Sequence, residues 1–338
     1  MKAMVLKTAT GTGALELRDL PDPEPGPGEV LVRMRASSLN FRDILILNGG
    51  YRKQQKSEDL IPLSDGAGEV VALGPGVTAF AVGDRVTANF CPDWIGGEPD
   101  RRNLDTRPGK SEDGMLAELK TFPAHVLVKT PDHLSDAEAA ALPCAGLTAW
   151  SAIVTLGRVE PGDLVLTQGT GGVSLFALQF AKLAGAEIIV TSSNDDKLAR
   201  AKELGADHLI NYVDNPDWGR SALEISDGRG VDHVIELGGT QTLKQSLMAV
   251  RPGGTVSMIG VLSGATFGDI LLPFVVSRQV RMQGVTVGSR QGLEAMCRAM
   301  AVHGTKPVID SVYPMAETAA AVAHLESGSH FGKVCIEI

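Results

Sequence analysis

Between residues 164 and 193 the order of residue types is one that could bind a dinucleotide. The apolar run Leu164-Val165-Leu166-Thr167-Gln168 breaks into Gly169-Thr170-Gly171-Gly172-Val173-Ser174. A glycine at 169 permits a sharp exit from a strand. Gly171 and Gly172 let backbone N–H groups approach a phosphate with no Cβ in the way. The segment to Ala184 has helical length, with Lys182 as its one ionised side chain, and a second apolar run, Glu187 to Thr191, follows. Strand, glycine turn, helix and strand form the unit that sets a pyrophosphate on a helix N-terminus. Ser174 stands where the third glycine of that motif would be, and a tight turn without a ligand is the other reading. An acid that grips the ribose of NAD belongs about 20 residues further on. Thr191, Ser192 and Ser193 stand there instead. Hydroxyls beside Lys197 suit a 2′-phosphate, so NADP(H) is favoured over NAD(H).

Other elements must hold this turn in place. Short alternating apolar runs dominate the first 125 residues: Glu29 to Arg35, Gly68 to Leu73, and Asp84 to Phe90. Gly26-Pro27-Gly28 and Gly74-Pro75-Gly76 punctuate them as turns. Cys91 to Asp113 reads as a long polar loop, of the kind that shapes sites. Ser135, with Glu138 three residues on, starts a helix. Beyond it strands alternate with helices: strands at His208 to Asn211, Val231 to Leu237, Thr255 to Gly260 and Val280 to Val287, helices at Lys197 to Leu204 and Gln241 to Val250. That alternation predicts an α/β fold with a parallel sheet covered on both faces. Helices around 292–302 and 315–327 precede a terminal strand, Lys333 to Ile338. This strand is predicted to return to the first domain, making the nucleotide domain an insertion.

The 338 residues suggest two domains. A net charge of −9 argues against nucleic acid as a partner. The longest apolar runs fall short of the roughly 18 residues a membrane span needs. Met1 to Leu6 lack the long apolar stretch of a signal peptide, so a cytoplasmic location is expected. Cys91, Cys144, Cys297 and Cys335 are scattered, with no pair spaced to hold a structural metal, and read as free thiols.

Several segments together resemble the zinc-independent, quinone oxidoreductase-like branch of the medium-chain dehydrogenase/reductase superfamily. They are Ser38-Leu39-Asn40-Phe41-Arg42-Asp43, Ser64-Asp65-Gly66-Ala67-Gly68-Glu69-Val70, Gly83-Asp84-Arg85-Val86, Leu142 to Trp150, the Gly169 turn, and Val287-Gly288-Ser289-Arg290. The resemblance implies a Rossmann domain at 125–266, doubly wound, inserted into a GroES-like β-rich catalytic domain at 1–124 and 267–338. A cleft between the two would take NAD(P)H and substrate. Where zinc-dependent relatives carry a metal-ligating cysteine and histidine, the resemblance places Asn40 and Asp65. Only Cys144 remains of the ligand set, so no catalytic metal is expected. Arg42 and Leu45 fill the positions of the alcohol proton relay.

The same resemblance assigns roles. Asn40 and Arg42 would meet negative charge on a reacting oxygen, and Tyr51 could give a proton. Asp43 and Asp65 are either acids of the site or supports, orienting Arg42 or capping a turn. Thr148 would pack on the nicotinamide face, with Val261, Gly288 and Ser289 lining that half. Lys197 and Tyr212 would hold the adenine-side phosphate. Phe41, Trp94, Ile95 and Phe274 suggest an apolar pocket for a hydrophobic carbonyl, quinone or alcohol. Arg101, Arg102 and Arg107 read as solvated loop residues, with attraction of an acidic substrate as the alternative. The expected reaction is metal-free hydride transfer from NADPH to a quinone or α,β-unsaturated carbonyl. A zinc-free alcohol dehydrogenase or ketoreductase, or a silent nucleotide-binding protein, are the alternatives. Val280 to Val287 is the expected edge strand of a homodimer.

Overall fold

The sequence Glu29–Ser38 alternates strictly, and in the computed structural model Val30, Val32, Met34 and Ala36 all point into the core, each at most 2% exposed. That alternation makes this strand the centre of one of two units. The structure describes residues 1–7, 11–50, 59–266 and 272–338. One unit comprises Met1–Leu147 with Val287–Ile338, the other Thr148–Thr286.

The first unit opens with β1 (Lys2–Leu6) and β2 (Leu15–Asp19), an antiparallel pair. Next come β3 (Glu29–Ser38), α1 (Phe41–Leu47), β4 (Asp65–Leu73), β5 (Arg85–Ala88), α2 (Arg101–Asp105), β6 (Leu119–Pro123), β7 (Leu127–Lys129) and α3 (Asp136–Ala140). β3 pairs with β4 along its length, with Ser38 opposite Asp65. Their backbones approach closely at Gly68, where a Cβ would lie 2.2 Å from the Arg33 carbonyl oxygen. The loop read at 91–113 holds α2, capped by Asp100, which accepts from the Arg102 and Asn103 N–H groups.

The second unit begins within α4 (Leu147–Trp150). It continues with β8 (Leu164–Gln168), α5 (Gly172–Leu183), β9 (Glu187–Ser192), α6 (Asp195–Glu203), β10 (His208–Asn211), α7 (Trp218–Ile225), β11 (Val231–Glu236), α8 (Leu243–Ala249), β12 (Val250–Met258), α9 (Leu272–Ser277) and β13 (Arg281–Gly284). Six parallel strands lie in the order β10-β9-β8-β11-β12-β13. Every residue of β8 and β11 is buried, as expected of strands covered on both faces. Trp218, Leu243 and Leu247 pack on one face with Leu166, Ile189 and Val234. Elsewhere in the unit, Phe180 of α5 meets the Trp150 ring edge-on at 5.4 Å. Phe274 packs partly buried against this core.

The chain then returns to the first unit with α10 (Arg290–His303), β14 (Ile309–Pro314), α11 (Thr318–Ser327) and β15 (Lys333–Glu337). β15 runs antiparallel to β3, placing Cys335 opposite Ser38, and parallel to β14. The division between units falls later than the sequence boundaries at both ends. β7 pairs with β5 and α3 packs on β3 and β4, which keeps residues 125–147 with the first unit. β13 pairs with β12, which keeps residues 281–284 with the second. β1, β2, β14 and α1 were not anticipated from the sequence. β12 also begins earlier than the 255–260 run, directly after α8.

Candidate active site

In the first unit, three segments far apart in sequence converge on one buried chain of polar groups. β3 ends at Ser38, β4 starts at Asp65 beside it, and β15 starts at Lys333. Lys333 is 3% exposed. Its ammonium donates to the Leu39 carbonyl and, at 2.7 Å, to Asn40 Oδ1. Asn40 Nδ2 in turn donates to Asp65 Oδ2 at 3.0 Å. The Cys144 N–H reaches the same oxygen at 3.2 Å, and the Ser64 hydroxyl donates to Asp65 Oδ1 at 2.9 Å. Burial pushes the Asp65 carboxyl above its usual range, while Lys333 and these donors pull the other way. An isolated buried charge would cost several kcal/mol, and pairing makes burial of both groups tolerable. Backbone strain sits next door: Leu63, just before Ser64, has φ +68°, held by the Gly114 and Met115 N–H groups on Ile61 and Leu63 carbonyls.

These residues do not fit a zinc site. Both ends of the Asn40 amide are engaged, and an ammonium stands where a cation would have to approach. The Cys144 thiol is raised well above its ordinary value by burial first and by Asp65 second, so it disfavours the thiolate a metal needs. Among the described residues no group of three or more His, Cys, Asp or Glu is arranged to hold a metal.

Arg42 and Asp43 begin α1 beside Asn40. Asp43 is a support: its Oδ2 accepts the Asn40 N–H at 2.8 Å, as the acid of a capping box does. Its Oδ1 is buried without a hydrogen-bond partner, 4.0 Å from Arg42 Nη1. Burial lifts this carboxyl to about 6, against the pull of Arg42. Arg42 Nη1 donates to the Pro108 carbonyl at 3.2 Å, and its guanidinium lies over the Phe90 ring at 4.8 Å. Arg107 also packs on that ring, at 5.5 Å, and is 9% exposed. Its reading as a solvated loop residue is therefore corrected: the loop folds back and Phe90 shields its stem. Arg101 and Arg102 are on the exposed α2, as read. Phe41 and Ile95 are exposed, each 44%. Tyr51 lies outside the described residues.

In the second unit the glycine turn follows β8 as expected. Gly169 has φ +74°, and a Cβ there would meet nothing within 4 Å. α5 is twelve residues long, with Gly171 as N-cap and no side chain capping it. The N–H groups of Gly172 and Val173 thus begin a helix end suited to an anion. Ser174, in place of a third glycine, turns its hydroxyl back to the Gln168 carbonyl at 2.7 Å. β9 and β10 bring Ser192 and Tyr212 together, the Tyr212 N–H donating to the Ser192 carbonyl at 3.0 Å. Ser192 is buried and its hydroxyl accepts from the Asn194 N–H, whereas Ser193 is exposed. Asn194 caps α6 by accepting the Lys197 N–H at 2.9 Å. Thr148 is buried in α4 and Val261 is exposed after β12. These residues fit a dinucleotide: an uncapped helix end, open space at Gly169, and hydroxyls at the end of β9.

Gly288 and Ser289 fall in the first unit, after Val287, a β-branched residue held at φ +48°. The Ser289 hydroxyl caps α10, accepting the Gly292 N–H at 3.2 Å.

Sequence reasoning missed Lys333, which looks like the first residue of an ordinary terminal strand. A cation opening an otherwise apolar strand was the one available signal. It also missed Glu236 at the end of β11. This carboxylate, 0% exposed, accepts from Gln168 Nε2 at 2.7 Å, from the Gly238 and Gly239 N–H groups at 2.9 Å, and from Thr242 and Ser246. Gln168 Oε1 accepts the Leu237 and Gly238 N–H groups. Together they fix the turn after β11 against the end of β8.

Comparison with known proteins shows the family to which the chain belongs. The alcohol dehydrogenase GroES-like domain family matches residues 26–132, and the zinc-binding dehydrogenase family matches residues 172–302. A zinc-type alcohol dehydrogenase-like protein of Schizosaccharomyces pombe is 41% identical over 317 residues, spanning 92% of this chain and 91% of the relative. The chain belongs to the medium-chain dehydrogenase/reductase superfamily. A solved NAD-dependent alcohol dehydrogenase shares 35% identity with this superfamily member at a TM-score of 0.91, over the whole of both chains. Acryloyl-coenzyme A reductase of Metallosphaera sedula is 26% identical over 347 residues, 99% of each chain. The protein is an oxidoreductase of this pyridine-nucleotide superfamily, with a GroES-like domain and a nucleotide-binding domain. Among the described residues no helix is long and apolar enough to cross a membrane.

Proposed function

We propose that the protein reduces quinones or α,β-unsaturated carbonyl compounds with NADPH and without a metal. The observation that carries this reading is the Lys333–Asn40–Asp65 chain, in which an ammonium ion supplies the site's fixed positive charge. The acryloyl-coenzyme A reductase relative supports an alkene conjugated to a carbonyl as the acceptor. Gly169, Gly171, Gly172 and Val173 hold the pyrophosphate in this reading. Ser192, Ser193, Lys197 and Tyr212 take the 2′-phosphate end, and Thr148, Val261, Gly288 and Ser289 the nicotinamide half. When bound, NADPH supplies the hydride.

The chain's own residues manage charge and protons. Hydride addition builds negative charge on the carbonyl oxygen, and a donor placed there is worth about 3–4 kcal/mol of barrier. Arg42 is that donor, because Asn40 has committed its oxygen and one N–H to Lys333 and Asp65. Asn40 keeps one N–H for the substrate. Asp65 and Asp43 act behind them, the first holding Asn40 and the second capping α1 beneath Arg42. Tyr51 gives the proton.

An alcohol dehydrogenase or ketoreductase is the second reading, favoured by the 35% identity to a solved NAD-dependent alcohol dehydrogenase. The four cysteines are unpaired, which suits a cytoplasmic protein. β13 is an edge strand, and a homodimer pairing through it should appear by light scattering as twice the mass of one chain.

The deciding experiment follows NADPH and NADH oxidation with 1,2-naphthoquinone, 2-alkenals and simple ketones. Turnover of quinone or alkenal with NADPH is expected. Turnover of simple ketones alone, with NADP+ or NAD+ reduced by secondary alcohols in the reverse direction, would favour the second reading. Coenzyme binding with no oxidation above buffer would leave only a silent nucleotide-binding protein.

A further inference from the structure

Two guanidinium groups flanking one buried ring are unusual in an acidic chain. Arg42 and Arg107 both lie over Phe90, and both are drawn out of water. Among the described residues their hydrogen bonds go to main-chain carbonyls: Arg42 to Pro108 at 3.2 Å, Arg107 to Thr106 at 2.7 Å. Each therefore keeps N–H groups beyond those bonds. Asp43 faces Arg42 at 4.0 Å and is itself lifted toward the neutral form. Among the described residues Arg107 forms no ion pair with a carboxylate. Cys91, packed beside them, is pushed up to about 11 by burial and stays a neutral thiol. Burial, the largest effect, and the neighbouring Arg42 weaken the hold of Arg107 on its proton, against the pull of Asp105. Like charges placed together at a cost, with unspent donors, are what an anion site looks like before its ligand arrives. Both arginines also lie near enough to Cys144 for their charges to act on it, so this pair adjoins the Asn40–Asp65 chain.

We propose that Arg107, which shares the Phe90 ring with Arg42, binds a carboxylate on the substrate. The acceptor is then an unsaturated carbonyl compound that also carries an acid group. Arg42 faces the oxygen where charge develops, and Arg107 faces the charge already present. The proposal rests on the reductase reading above, and it refines the substrate class.

The test compares trans-3-benzoylacrylate with its ethyl ester, which present the same alkene and ketone and differ by one charge. Wild-type kcat/KM with NADPH is expected to favour the acid by about 10-fold or more, mainly through KM. Arg107→Met should bring the acid-to-ester ratio close to one, and Arg107→Lys should restore part of it. Calorimetric titration of the saturated acid 3-benzoylpropionate gives a readout independent of turnover. Binding should weaken about 10-fold in Arg107→Met, with both proteins folded at the titration temperature. Equal wild-type constants for acid and ester, with equal affinity of wild type and Arg107→Met for the saturated acid, would overturn the proposal. An Arg107→Met defect confined to the KM for NADPH would also overturn it, assigning the arginine to a coenzyme phosphate. Binding of the acid with no turnover of any acceptor would sink the reductase reading and leave the carboxylate site standing.

Discussion

The two units each bury a carboxylate at the end of a strand, and they neutralise it in opposite ways. Glu236, in the second unit, is surrounded by neutral dipoles: a glutamine amide, two hydroxyls and two glycine N–H groups. Asp65, in the first, is tied through Asn40 to the ammonium of Lys333. Neutral donors suit a turn that must stay fixed. A full cation suits a place where negative charge arrives during a reaction. The contrast is between these two sites and not between whole units, since Asp232 near the start of β11 is buried against Arg229 and Arg251.

Removing the cation should have the largest effect. Lys333→Met leaves Asp65 buried without a compensating charge, at an expected cost of about 3–5 kcal/mol in chemical denaturation. At temperatures where the variant is folded, kcat for quinone or alkenal reduction should fall about 100-fold or more, with the KM for NADPH little changed. A normal kcat in folded protein would show that the lysine only staples β15 to the loop after β3. Glu236→Gln should cost less, about 1–3 kcal/mol, because one acceptor is turned into a donor facing donors. Its kinetic mark should be a raised KM for NADPH with smaller loss of kcat. If the two variants gave the same kinetic signature, the contrast between the two sites would fail.

Asp43 sharpens the comparison from the other side, since its cation, Arg42, stands 4.0 Å away and its Oδ1 has no hydrogen-bond donor among the described residues. Its folded-state value of about 6 lies above the ordinary 3.8. The folded chain therefore holds this proton to higher pH than the unfolded chain. The stability linked to it is fully present below about pH 4 and is lost as pH rises through 6. Asp43→Asn keeps an oxygen for the Asn40 N–H and removes the charge. It should raise stability at pH 7.5 by about 1–3 kcal/mol, with the gain vanishing near pH 4. A gain that persisted at pH 4 would point to packing instead of charge.

Legibility in the sequence followed the same division. The second unit could be read locally, because β8, the Gly169 turn, α5 and β9 are contiguous and their periodicity is that of a buried parallel strand followed by a helix. His208–Asn211 falls on β10 and Ser135 caps α3 for the same local reasons. The polar chain of the first unit joins residues 40, 65, 144 and 333, and no local pattern connects positions nearly three hundred residues apart. Resemblance supplied Asn40, Arg42, Asp43 and Asp65. Lys333 needed the pairing of β15 with β3. Arg107 was misjudged because a charged residue in a polar loop gives no sign that the loop will fold it against Phe90. α7 falls in a gap between two strands where a helix is expected, with Trp218 and Ala222 buried.

The central claim is that a lysine ammonium, and no metal ion, supplies the fixed positive charge at this site. Its most direct test is the rate of NADPH-dependent 1,2-naphthoquinone reduction by protein stripped with chelator, with zinc quantified on the same sample. Full turnover at well below one zinc per chain is predicted. Loss of turnover on stripping, restored in proportion to zinc returned, would contradict the account.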